Sequence, residues 1–208
     1  MIAKAKPNQP SSWKTLGRND LRAADDRRPA PDLVHGGETH EEAIAILVER
    51  LGFRADTDMV EFASPCGTIT AHRNNLPHIV EKRQDARERY VQFAIDTMTN
   101  PLEVWRIEYD DETFRQAYIG AFVGKTQMLV IVSQEGGQQL WNFMHGEAKA
   151  INKHRHGGSC PGAWCKKRQQ KRSAGHRLRF GRRASQAASA DRLTLGLSPT
   201  SASVSSVM

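Results

Sequence analysis

The sequence predicts an α+β fold in which helices pack on a twisted antiparallel sheet of about four strands. Three observations predict it: helical patterning between residues 38 and 98, strand-like segments from 102 to 144 separated by short turn signals, and a change of composition after residue 158. The order helix, hairpin, long helix, four strands places a helical layer against one sheet and bounds a domain at 38–156. A chain of 208 residues has room for one such domain with extensions.

Residues 1–37 contain the breaks PNQPSS and RRPAPDLVHGG and read as an irregular leader with one short turn around Trp13 and Leu16. In ETHEEAIAILVERLG, Thr39 is placed as N-cap and Glu42 completes a capping box. Ala43, Ile44, Ile46, Leu47 and Leu51 form an apolar face, and Gly52 stops the helix. MVEFASPCGTITAHR alternates apolar and polar residues on both sides of Ser64-Pro65-Cys66-Gly67, the pattern of a hairpin. After Asn74, Asn75 and Pro77 the spacing predicts one helix of about six turns through Met98. Ile79, Ala86, Tyr90 and Phe93 form its buried stripe, with His78, Lys82, Asp85 and Arg89 as a polar strip beside it.

From Leu102 the period shortens. LEVWRIEYD, TFRQAYIGAF, TQMLVIVSQ and QQLWNFM predict an antiparallel meander, with MLVIV as its central strand because it is the least polar. GEAKAINKHR predicts a short terminal helix. Residues 157–208 carry nine serines and no sustained apolar period, and are expected to be disordered.

The charge divides along the same line. The formal net charge is +7 and the pI about 9.6, yet residues 1–158 hold 20 Lys/Arg against 22 Asp/Glu, while residues 159–208 hold 10 against one. Basicity therefore belongs to the tail, whose runs KKRQQKR and RLRFGRR can attract nucleic acid through phosphate charge alone. Three cysteines are too few for a disulfide scaffold and predict a reducing compartment. No apolar run approaches the roughly 18 residues of a membrane span, and the first residues lack the apolar stretch of a secretory signal. His154, His156, Cys160 and Cys165 can be drawn as a zinc site, but their spacing fits no strong template, so no metal is expected.

HIVEKRQDARERYVQFAIDTMTNPLEVW, followed by FRQAYIGAFVGKTQMLVIV and LWNFMHGEAKAINKHR, resembles the phage-type nuclease domain of the barnase, EndoU, colicin and RelE (BECR) superfamily. That domain occurs at the C-terminal end of head-morphogenesis proteins of Mu-like phages and prophages. SSWKTLGRNDLR and THEEAIAILVERLGF resemble the segment that precedes it there. The resemblance implies RNA as substrate, phage head or portal proteins as partners, and a bacterial cytoplasm or a virion as location. It also implies cleavage without metal or cofactor, by attack of the 2'-hydroxyl on its own phosphate.

Such a reaction needs proton carriers and donors for the charged phosphorane. His78 and Lys82 are the candidate catalytic pair, one helical turn apart, with His154 as second proton carrier. Each also has a plain reading, His78 as a surface histidine and His154 as part of a basic helix end. Arg106, Arg115, Tyr118 and Asn142 are polar positions inside apolar strands, and with Lys153 and Arg155 they are the candidate substrate-binding residues. A sheet with one wet face would account for several of them equally well. Arg87 and Glu88 read as part of a solvated, charge-interleaved face. A non-cleaving interaction module on the same fold, with the tail binding nucleic acid, is the alternative.

Overall fold

A computed structural model describes residues 4–7, 9, 11–24 and 26–159. Helix α1, His40–Leu51, starts at the expected capping box, with the Thr39 hydroxyl accepting from Glu42 N–H and Glu42 bonding back. It ends at Gly52, whose φ of 85° is the left-handed conformation that glycine takes without penalty. Strands β1 (Met59–Ser64) and β2 (Gly67–His72) form the expected hairpin.

The expected six-turn helix is broken. Helix α2 covers Leu76–Val80, α3 covers Val91–Thr99, and two 3-10 turns, Arg83–Asp85 and Arg87–Tyr90, lie between them. Lys82 leaves the helical region, and Ala86 adopts φ 40°, ψ 50°. Between Val80 and Tyr90 the sole apolar residue is Ala86, so a helix there would have almost nothing to bury. Nor do Arg87 and Glu88 face solvent. Both are buried, with Glu88 0% exposed and its carboxylate 3.0 Å from Arg83, a charge pairing without a well-aligned hydrogen bond.

Strands β3 (Glu103–Glu108), β4 (Phe114–Gly120), β5 (Thr126–Ser133) and β6 (Gln139–Glu147) form the expected antiparallel meander. Four strands is nonetheless an undercount. The hairpin joins the same sheet, β2 running parallel to β6, and a two-residue strand β7 (Gly158–Ser159) pairs with β3 in what was expected to be tail. The order is β1-β2-β6-β5-β4-β3-β7, so the sheet is mixed and MLVIV is central. It curls far enough for Ser64, at the end of β1, to meet the Tyr118 hydroxyl of β4 at 3.1 Å.

Neither face of the sheet is wet over its middle. On one side α1, α2 and α3 pack Leu47, Ile79, Phe93 and Met98 against Val104, Tyr118, Val130 and Phe143. On the other, α4 (Ala148–Ile151) and the leader pack Ile151, Leu21 and Ala24 against Trp105, Ala117, Ile119 and Leu129. Sheets covered on both faces need apolar residues at successive positions, as MLVIV has. The leader includes the expected turn at Trp13 and a 3-10 turn at Leu21–Ala23, and hydrogen-bonds to the body from Trp13 N–H to Arg155 O and from Arg28 N–H to Ala121 O. Residues 160–208, with the tail's basic runs, its expected disorder and Cys160 and Cys165, lie outside the described residues.

Candidate active site

Strand β2 meets β6 only at Thr70 and Gln139, so from Leu140 onward β6 presents an edge to other elements. The side chain of Asn75 donates to the carbonyls of Leu140 and Trp141, at 2.7 and 2.9 Å, satisfying part of that edge. Opposite β5 the register shifts: Ile131 faces Asn142 and Val132 faces Leu140, leaving Trp141 as the extra residue of a β-bulge. The bulge re-aims the Trp141 and Asn142 side chains, and the irregular segment 82–90 meets them there.

Breaking the helix makes this possible. In a continuous helix the Ile79 and Asp85 carbonyls would accept from residues four positions on. Here Ile79 O accepts from Arg87 Nη1 at 3.2 Å, and Asp85 O is 2.8 Å from His145 Nε2. Arg87 Nε and Nη2 also bond Asp85 Oδ2, and its Nη1 donates to Asn142 Oδ1 at 2.8 Å. Asn142 Oδ1 accepts a second bond from Phe143 N–H at 2.7 Å. Both partners are donors that cannot accept, so the amide orientation is determined and Nδ2 is the outward group. Nδ2 has no partner among the described residues and is not enclosed.

Two histidines connect to this network, His145 through the Asp85 carbonyl and His78 through Trp141, the chain neighbour of Asn142. His145 Nε2–H donates to the Asp85 carbonyl. The neutral ring therefore carries its lone pair on Nδ1. Tyr90 stacks on the same ring with centroids 3.6 Å apart. His78, in α2, lies against Trp141 with ring centroids 5.2 Å apart, and its Nδ1 is 3.4 Å from Glu81. Beneath Trp141 the Arg115 guanidinium is held between two rings, 4.9 Å from Trp141 and 4.3 Å from Tyr109.

A fixed amide donor, a buried guanidinium behind it and two imidazoles are thus carried by β6 and the segments packed on its edge. The family model for phage-Barnase-EndoU-ColicinE5/D-RelE like nuclease 2 matches residues 47–159, a span that contains every one of these groups. The chain belongs to this nuclease family. Among curated proteins and among solved structures, none matches it.

Within the nuclease domain the residues expected at the site are dispersed. His78, Asn142 and Arg115 come together through Trp141. Lys82 is exposed in the turn after α2, its side chain without an ion pair among the described residues. Arg106 is exposed on β3, stacked on Phe114. Tyr118 is fully buried, its hydroxyl bonded to Gln116, Gln138 and Ser64, and so is not a surface contact for substrate.

The 153–155 group follows α4, on the sheet face opposite to α2. Lys153 is exposed. His154 is half-buried, and burial, then His156 and Lys153, hold its imidazole below the usual histidine range. It therefore does not pair with His78. Arg155 is 1% exposed and donates to both carboxylate oxygens of Glu103, at 2.8 and 2.7 Å, and to Asn152. Burial raises the Glu103 carboxyl, but hydrogen bonds and charge from Arg155, with Arg18 and Trp105 N–H, outweigh it and leave the group below its usual range. An arginine so committed is a structural tie between β3 and the leader, not a ligand for substrate.

His145, Arg87, Asp85 and Trp141 were not expected at the site. The signal for Arg87 and Asp85 was the lack of apolar residues other than Ala86 in 81–89, which argues against a helix. For Trp141 and His145 no signal exists, because a bulge has no sequence mark in an alternating strand. Among the described residues no three His, Cys, Asp or Glu side chains gather as a metal-binding group, and no helix is long and apolar enough to cross a membrane.

Proposed function

We propose that this nuclease domain cleaves RNA by transesterification at the Asn142 site, with His145 as general base and His78 as general acid. The observation that carries the reading is the Asn142 amide, locked by Arg87 and Phe143 N–H so that its N–H donors point outward, with His145 tied to the same Arg87–Asp85 segment and His78 packed on the adjacent Trp141. His145 Nδ1 takes the proton of the 2'-hydroxyl as its oxygen forms a bond to phosphorus. The bond from phosphorus to the 5'-oxygen breaks, and protonated His78 supplies the leaving oxygen with its proton. A 2',3'-cyclic phosphate and a 5'-hydroxyl result. Asn142 Nδ2 donates to the phosphorane oxygen, and the buried Arg87 supports it from behind. Association with a phage or prophage head, and with head or portal proteins, is part of this reading and rests on the likeness of residues 12–53 to the segment preceding such domains.

The test is incubation of the full chain with labelled single-stranded RNA in EDTA. Cyclic-phosphate ends are expected, lost in His78→Ala and in His145→Ala but retained in His154→Ala. RNA left intact by the wild-type chain at high protein concentration would sink the proposal and favour a non-cleaving interaction module.

A further inference from the structure

On β3 and β4 the helix-side face ends in a second feature that the cleavage site does not use. Arg106 and Phe114 point to the same side from neighbouring strands, and the Arg106 guanidinium lies 3.9 Å from the Phe114 ring centroid. Both side chains are exposed, Phe114 by 37%. Arg106 has no ion pair among the described residues, while the one carboxylate beside it, Glu108, is bonded to Lys6 at 2.5 Å. A guanidinium lying on a ring and open to solvent has a free planar face. Nucleic-acid-binding proteins present such faces to unpaired bases.

We infer that the Arg106–Phe114 pair is a stacking subsite for an unpaired nucleobase flanking the scissile phosphate. Phe114 precedes Arg115, whose guanidinium reaches Trp141 of the cleavage site from the opposite face. By strand register Phe114 lies three positions along the sheet from the level of Asn142, about 10 Å. Strands β3 and β4 lie three and two positions from β6, about 10–14 Å away at the usual strand spacing. A single strand bound at Asn142 can extend across that distance, whereas bases in a duplex are closed to stacking. The inference takes single-stranded RNA from the proposed function and adds where a neighbouring base sits.

The experiment measures affinity of the full chain for a short fluorescein-labelled single-stranded oligouridylate, at low and at high salt. Charge contacts, including any from the basic tail, fade at high salt, and stacking persists. At high salt Phe114→Ala is expected to weaken binding about five- to hundredfold, the usual range for one stacked base. Phe114→Trp should restore affinity, and Arg106→Lys should weaken it although charge is kept. Cleavage of a dinucleotide, too short to reach the platform, should proceed at the wild-type rate in all three. Unchanged oligouridylate affinity in Phe114→Ala at both salt concentrations would overturn the inference, as would equal weakening for duplex RNA. A wild-type chain that binds as expected but cleaves nothing would instead overturn the nuclease chemistry alone.

Discussion

Asn142 separates what holds the site together from what the site does. Its oxygen faces donors and its nitrogen faces out, so Asn142→Asp places a carboxylate against Arg87 and Phe143 N–H while deleting the outward donor. The variant should fold at least as stably as wild type, by thermal melting, while its kcat for RNA falls about 100- to 1000-fold, as when an oxyanion donor is removed. Asn142 and His78 were legible as candidates because a polar residue inside an apolar strand, and a histidine at a helix start, stand out from their surroundings. Arg87 was not. In sequence it is one of four cations in EKRQDARER, and only the folded chain shows it 6% exposed and bonded on every side.

At the scale of elements, segment 81–90 departs furthest from expectation. Ile79, Ala86, Tyr90 and Phe93 have helical spacing, yet the chain gives up helix hydrogen bonds so that Ile79 O and Asp85 O can serve Arg87 and His145. The turn depends on Ala86 in the left-handed region, where a Cβ costs about 1–2 kcal/mol. Ala86→Gly removes that strain at the price of a more flexible unfolded chain. Net stabilisation of up to about 1 kcal/mol is expected by urea denaturation, with unchanged kcat. By contrast α1 matched its sequence at both ends, because the Thr39–Glu42 box and Gly52 act through local hydrogen bonds and a local φ.

Over the described residues, the domain is a curled sheet buried on both faces, one by α1–α3 and the other by α4 and the leader. Arg155, Glu103 and Arg18 tie that second layer together. Arg155→Ala strips the buried Glu103 carboxylate of its bidentate partner, leaving only Arg18 and Trp105 N–H, and should destabilise the fold by about 3–5 kcal/mol in chemical denaturation. Removing residues 1–37 uncovers the Trp105 face as well, so residues 38–156 alone should fail to give a cooperative melt. His154 and His156, both held below the usual histidine range by burial, add a pH dependence. The unfolded chain binds protons near pH 6.5 and the folded one does not, so stability is full above that pH and falls as acidification proceeds toward the folded-state values. The melting temperature should therefore drop between about pH 7 and pH 5, less steeply in His154→Gln. The sequence by itself determined the α+β class, the capped first helix, the hairpin, the meander with its central MLVIV strand and the nuclease resemblance. All of these depend on patterns within a few residues. Tertiary structure alone decided that the hairpin joins the sheet, that the long helix breaks, that Arg155 is buried and that His145 rather than His154 is tied to the Asp85–Arg87–Asn142 network. Each of those turns on partners far apart in the chain, whose pairing outweighs the local preference of the segments that carry them.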